Sequence, residues 1–340
     1  MDGYFTFVGA GRPYTDARPS SETAEFLRGF DPEFIVRQKR ALSAAIGGDS
    51  RAFEAVRQTR RVSTHDLSAV DVSDVFIPRK SSPDKLRMRI YRPKSGAPKG
   101  VLLYLHGGGW SINSPENCER VCRDFAEKDG LVVAAPDYLL APEFPYPAGN
   151  DDAKNAYVWL AENAAKLGAA SPEIFIAGDS AGGHMALYLA LELRDGSASA
   201  ANPAGVIAFY PALDLKDTSR ESFKLFGNGY ALNDELMKLY IKAYAPTDSA
   251  LNGASLFNKN LAGLPPVLIV AGECDILRQE AEEFHQKLTE AGVKARYICI
   301  EGAVHMFITK DGMENAYAKA FAEAEEFLAR AKSANSAKSV

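Results

Sequence analysis

The sequence predicts an α/β protein built on one mostly parallel sheet covered by helices, and three observations carry that reading. Short β-branched and apolar runs alternate with longer helical patterns from about residue 70 to residue 331, as strands joined by crossover helices do. Several of the runs are apolar almost throughout, the pattern of strands buried on both faces. One run, Ile174-Phe175-Ile176-Ala177, passes directly into Gly178-Asp179-Ser180-Ala181-Gly182-Gly183 and then into the helical pattern His184-Met185-Ala186-Leu187.

Taken in order, residues 1–60 are rich in Phe, Tyr and Arg, with amphipathic signals around Ala24-Glu25-Phe26-Leu27 and Phe34-Ile35-Val36 and no long β-like run. They read as a helical leader. Strands are expected over 70–77, 86–91, 101–105, 131–135, 174–177, 206–210, 267–271 and 296–300, and helices over 118–128, 148–166, 181–193, 279–291 and 314–331. The alternation breaks over 213–260, where a helical stretch at 234–244 sits between loops. So long a connection is unusual without structure of its own, which points to an inserted segment. The sheet domain is therefore expected over 61–212 and 259–331, with separate segments at 1–60 and 213–258. The Ser-, Ala- and Lys-rich residues 332–340 read as a disordered tail.

Composition narrows the classes of function. With 340 residues and 46% hydrophobic content, the chain has enough apolar surface for one large core with an appended or inserted subdomain. The formal net charge of -5 is spread over mixed signs, leaving no electrostatic footprint for nucleic acid. A small neutral ligand fits better. No apolar run approaches the roughly 18 residues of a spanning helix, and the start, Met1-Asp2-Gly3-Tyr4, lacks the basic and apolar regions of a signal peptide. No membrane partner is expected, and the expected location is cytoplasmic; a homodimer is left open. The cysteines, Cys118, Cys122, Cys274 and Cys299, lack metal-ligand spacing and read as small core residues. Neither a metal nor a cofactor is expected.

The run 174–183 has the form of a nucleophile elbow. A serine on a tight strand-to-helix turn projects its Oγ above the sheet, and flanking glycines let neighbouring backbone pass. At the end of the strand 101–105 stands His106-Gly107-Gly108-Gly109-Trp110, whose successive glycines allow backbone N–H groups to converge on a developing oxyanion. The N–H of Ala181 is the expected partner. A nucleophilic serine needs a base and a group to orient that base. His184 lies too close along the elbow helix to turn back, and His285 sits beside Glu282 and Glu283, which suggests a solvated helix face. His305 follows the last strand in a loop, where catalytic groups concentrate. At the end of the strand 267–271, Gly272-Glu273-Cys274-Asp275 offers two carboxylates within reach of it. Asp275 is the one assigned here, and it also stands where it can cap the following helix. Gly107, Trp110, Asp179 and Met306 are expected to contact substrate.

These motifs, with Asp137-Tyr138-Leu139-Leu140-Ala141-Pro142-Glu143, Leu264-Pro265-Pro266 and Asp275-Ile276-Leu277-Arg278, make the chain from about 84 to 330 resemble the hormone-sensitive-lipase-like esterases, the bacterial family IV lipolytic enzymes. The resemblance implies an α/β-hydrolase fold with an eight-stranded sheet and a helical cap formed by residues 1–60 and 213–258. It implies a triad of Ser180, Asp275 and His305, an oxyanion hole of Gly108, Gly109 and Ala181, and hydrolysis of a small-molecule carboxylic ester with a short acyl chain. Amide, lactone or carbamate hydrolysis by the same triad is the alternative. Related receptors keep the fold but lose the histidine, which His305 argues against. Leu139, Ile276 and Met306 depart from the Arg, Pro and Gly usual in the family. The cap segments carry many aromatic residues, among them Phe5, Phe7, Phe26, Phe30, Phe34, Phe223, Phe226, Tyr230 and Tyr240, which are expected to form a lid over the site.

Overall fold

The apolar runs become a single sheet in the computed structural model, which describes residues 4, 7–8, 11–49, 51–58, 65–79, 84–169, 173–196 and 200–336. Its strands are β1 (Phe7–Val8), β2 (Val70–Pro78), β3 (Lys85–Pro93), β4 (Val101–Leu105), β5 (Val132–Pro136), β6 (Ile174–Asp179), β7 (Gly205–Phe209), β8 (Val267–Gly272) and β9 (Ala295–Ile300). Their spatial order is β1-β9-β8-β7-β6-β4-β5-β3-β2. The β2–β3 and β3–β5 pairs are antiparallel and the others parallel. Strands β2 to β9 are the eight expected from the sequence. The ninth, β1, lies in the segment read as wholly helical, because a two-residue strand leaves no period to detect.

Every residue of β4, β6, β7 and β8 is buried, which is why these strands read as unbroken apolar runs. The flanking helices are α4 (Glu119–Glu127), α5 (Ala148–Asn163), α6 (Ala181–Arg194), α10 (Arg278–Glu290) and α11 (Glu314–Ser336). Helix α6 packs on β6 and β7, and α10 on β8 and β9. Helix α11 continues to Ser336, through residues 332–336 where the tail was expected to begin; Ala and Lys favour continuing a helix already under way. Residues 337–340 lie outside those described.

His285 corrects a third expectation. It is buried, not solvated, because Ala281, Phe284, His285 and Leu288 form the buried stripe of α10 at i, i+3, i+4 and i+7. Cys118, Cys122 and Cys274 are buried and Cys299 is partly so. Among the described residues no helix is long and apolar enough to cross a membrane.

Six more helices come from the segments outside the alternation: α1 (Ser21–Gly29), α2 (Pro32–Ile46), α3 (Arg51–Gln58), α7 (Glu221–Phe226), α8 (Asp234–Tyr244) and α9 (Asp248–Ala254). Their starts are written in the sequence. Ser20, Asp31, Asn233 and Thr247 each accept a backbone N–H from the first turn of α1, α2, α8 and α9, meeting donors that a helix start leaves open. Helix α2 packs against α8, so two segments nearly 200 residues apart in sequence meet in space.

Candidate active site

Strand β6 ends at Asp179 and α6 begins at Ala181, leaving Ser180 alone at the turn with φ 55° and ψ -119°. That is sparsely populated backbone for a side-chain-bearing residue. The glycines around it are demanded by close approach: a Cβ on Gly182 would lie 1.9 Å from the Leu105 carbonyl oxygen. Ser180 is thereby held at the end of the sheet, over the N-terminus of α6.

His305 reaches Ser180 from the loop after β9. Its Nε2 is 2.9 Å from Ser180 Oγ, and its Nδ1 is 2.6 Å from Asp275 Oδ2. All three residues are buried. The other carboxylate oxygen, Asp275 Oδ1, accepts the Leu277 N–H at 3.0 Å, so Asp275 serves the start of α10 as well as the imidazole.

Glu273 points elsewhere. It accepts from the Arg12 guanidinium at 2.6 Å, the Arg12 N–H at 2.7 Å and the Gly302 N–H at 2.9 Å. Burial pushes its carboxyl up, but Arg12 and the N–H groups outweigh burial and hold it below the ordinary range. The other histidines are also occupied. His184 faces the Ala254 carbonyl at 2.9 Å and is driven down to about 4 by burial, so it stays neutral. His285 lies 3.3 Å from the Ala295 carbonyl.

The glycine run after β4 is fastened from below by Asp179. One oxygen of this buried carboxylate accepts the Gly107 N–H at 3.0 Å and the Tyr104 hydroxyl at 3.2 Å. Burial raises the Asp179 carboxyl to about 6 despite these bonds. Asn113 Nδ2 donates to the Gly107 carbonyl at 3.2 Å. Gly108 and Gly109 have φ of 117° and 56°, the left-handed region that favours glycine. Among the described residues, no hydrogen bond within the protein engages the N–H groups of Gly108, Gly109 or Ala181. Above Gly109 lies the ring of Tyr240 from α8: a Cβ on Gly109 would fall 2.2 Å from its Cγ. The Trp110 ring stacks on Tyr244 at 4.4 Å. Met306, beside His305, has φ 73°, a conformation in which glycine would be unstrained.

Gly107, Gly108, Gly109, Trp110, Asp179, Ser180, Ala181, His305 and Met306 all line one cavity of about 960 Å³, and Asp275 stands behind His305 outside its wall. Of the expected lid aromatics, Phe26, Phe30, Phe34 and Tyr240 line the cavity and Phe223, Phe226 and Tyr230 do not. Phe5 and the Phe7 side chain lie outside the described residues. Two participants carried no sequence signal. Gln38 is a single amide in an amphipathic helix, and Arg12 finds Glu273 across 261 positions.

Residues 102–309 match the model of the alpha/beta hydrolase fold family. The chain is 33% identical to an ethyl acetate hydrolase of Pseudomonas putida over 66% of its own length and 71% of that protein's. It is 34% identical to a carboxylic ester hydrolase of Mycobacterium tuberculosis over 67% of its length and 62% of that protein's. The chain belongs to the hormone-sensitive-lipase-like carboxylesterases of the α/β-hydrolase family. This carboxylesterase also superposes on the crystal structure of a thermostable esterase from Pseudomonas putida with a TM-score of 0.77 at 26% identity, covering 92% of this chain and 96% of that one.

Proposed function

We propose that this carboxylic ester hydrolase is a serine esterase of short-chain acyl esters that works through an acyl-enzyme. The observation that carries the proposal is the buried relay from Asp275 through His305 to Ser180, with separations of 2.6 and 2.9 Å. Ser180 Oγ attacks the ester carbonyl carbon while His305 Nε2 takes its proton. Asp275 fixes the imidazole with Nδ1–H toward itself and stabilises the imidazolium. The carbonyl oxygen becomes an oxyanion and receives the open N–H groups of Gly108, Gly109 and Ala181. On collapse, His305 returns the proton to the alcohol oxygen, the alcohol leaves, and the acyl group stays on Ser180. Water then attacks the acyl carbon with His305 again as base, releasing the acid and restoring Ser180.

Asp179 acts through the backbone, holding Gly107 and with it the turn that presents Gly108 and Gly109. Residues 1–60 and 213–258 act as the cap: α2 and α8 meet over the cavity, and Phe30, Phe34 and Tyr240 form part of its wall. The partner is a small uncharged ester, with Gly107, Trp110 and Met306 at its contact surface. Free thiols at all four cysteines suit a reducing, cytoplasmic setting.

The decisive experiment is hydrolysis of p-nitrophenyl butanoate by wild type and Ser180→Ala, with mass spectrometry after treatment with an organophosphate. Ser180→Ala should be inactive yet folded, and the label should sit on Ser180 alone. Substantial activity in the variant, or a label elsewhere, would overturn the assignment.

A further inference from the structure

Two neutral polar side chains from the cap segments line the cavity. Gln38 of α2 is 3% exposed and Tyr240 of α8 is 5% exposed, and both line the cavity that holds Ser180. Among the described residues, neither the Gln38 amide nor the Tyr240 hydroxyl has a hydrogen-bond partner. A polar side chain that lines a cavity without a partner in the protein is free to bond a ligand there. The neighbouring tyrosines are engaged within the protein. Tyr244, one turn beyond Tyr240, donates to Asn150 Oδ1 at 2.6 Å, and the hydroxyls of Tyr146 and Tyr188 are paired at 2.6 Å.

Phe30, Phe34, Ile35, Leu232, Leu236 and Met237 line the same cavity, as do the charged Asp31, Arg37 and Lys310. An apolar wall carrying a few polar groups is how small-molecule sites fix the orientation of a ligand. An amide and a phenol are uncharged, and each can both donate and accept. Burial lifts the Tyr240 phenol above its ordinary range, which keeps it protonated. The group that suits them is an ether, hydroxyl or carbonyl oxygen, since neither side chain supplies a counter-charge to a carboxylate or an ammonium.

We propose that Gln38 and Tyr240 form a polar subsite that selects esters carrying a second, uncharged oxygen function away from the scissile bond. This rests on the esterase reading of the Ser180 site and adds a substrate class to it. Without the subsite, burial would favour the hydrocarbon ester of the same size, by roughly fourfold for each methylene that replaces an oxygen. With it, the oxygenated ester wins, since a site built to hydrogen-bond a substrate rejects the analogue lacking the polar atom.

The second oxygen could belong to the acyl or the alcohol part, so two matched pairs separate the sources. One pair is p-nitrophenyl 4-methoxybutanoate against p-nitrophenyl hexanoate; the other is 4-hydroxybutyl acetate against pentyl acetate. Wild type should prefer the oxygenated member of at least one pair by about fivefold to tenfold in kcat/KM, the worth of two hydrogen bonds less the methylene that the oxygen replaces. Gln38→Leu and Tyr240→Phe are near-isosteric and should each reduce that ratio, and the double variant should bring it to one or below. Labelling of Ser180 by an organophosphate confirms that each variant retains its site. Equal rates within both pairs for wild type would overturn the proposal, and that result needs no variant to fold. A ratio unchanged in the double variant would overturn it too. Failure to hydrolyse any of the four esters, with no label on Ser180, would instead remove the esterase reading beneath it.

Discussion

Two carboxylates stand two positions apart at the end of β8, and their partners divide the work. Asp275 meets His305 and the start of α10, while Glu273 is committed to Arg12 and Gly302. Asp275→Asn should lower kcat on the order of 10⁴-fold, because the amide no longer favours the tautomer that leaves Nε2 free to accept the proton. Glu273→Gln should leave kcat within about tenfold and lower the melting temperature instead, since it removes a charged hydrogen bond to the N-terminal segment. Steady-state kinetics and thermal denaturation of both variants check the division, and a larger kcat loss in Glu273→Gln would reverse it.

Asp179 supplies a pH signature. Its folded carboxyl, at about 6, sits above the ordinary 3.8, so the folded state binds the proton more tightly than the unfolded chain. The resulting stabilisation is fully present below about pH 4 and is lost as pH rises through about 6. Relative to Asp179→Asn, wild type should lose about 2 kcal/mol between about pH 4.5 and 7.5, most of the ~3 kcal/mol that roughly two pKa units are worth over the full titration. Urea unfolding of both proteins at about pH 4.5 and 7.5 reads this out; a difference that does not change with pH would refute it.

At the scale of the element, the sequence was most legible where a short motif leaves the backbone one option. The elbow could be read because Gly178, Gly182 and the positive φ of Ser180 solve one steric problem within a five-residue run. The glycine run after β4 was legible for the same reason. What could not be read depends on partners distant in the chain. β1 owes its existence to pairing with β9, and His285 looked solvated because its charged neighbours stood out more than the apolar stripe it belongs to. Leu139, which departs from the usual Arg, illustrates how a pair can be supplied from afar: Asp152 accepts the Leu139 N–H and is met by Arg79 at 3.0 Å.

The Tyr240 ring over Gly109 joins α8 to the glycine run and gives a prediction at this scale. In Gly109→Ala a Cβ would fall 2.2 Å from Tyr240 Cγ at a residue with φ 56°. The turn must shift, and with it the N–H groups proposed to receive the oxyanion. Loss of one such donor typically costs about 10²–10³ in kcat. Gly109→Ala should fall in that range while Ser180 still reacts with an organophosphate. A variant with nearly wild-type kcat would show that the Gly109 N–H takes no part.

At the scale of the whole molecule, the proposed preference for short acyl chains has to arise in a cavity of about 960 Å³, near the upper end of the roughly 300–1,000 Å³ usual for small-molecule sites. Total volume does not set the limit, because that much space must also hold the alcohol part and the cap-side polar groups. The limit is set by the first wall an acyl chain meets on leaving Ser180. Tyr240 presses on Gly109, and Phe30 and Phe34 of the N-terminal segment close on the same space from α2 and the residues before it. Each methylene buried before that wall contributes about 0.8 kcal/mol, or roughly fourfold in kcat/KM, while each one beyond it forces overpacking and reverses the sign. Across a p-nitrophenyl ester series, kcat/KM should rise to a maximum at roughly two to six acyl carbons and then fall, with no jump when the longer esters pass their solubility limit. Deleting the N-terminal segment would confuse the result, since Arg12 holds Glu273 beside the site. Phe34→Ala tests the wall alone: α2 keeps its N-cap at Asp31 and its packing on α8, while the cavity gains the space of one ring. The maximum should move to longer chains, by about two carbons or more, with the rate on the acetate ester lowered or unchanged. An unchanged profile in a folded Phe34→Ala protein would assign this aromatic to holding α2 in place and leave the acyl limit to residues of the sheet domain.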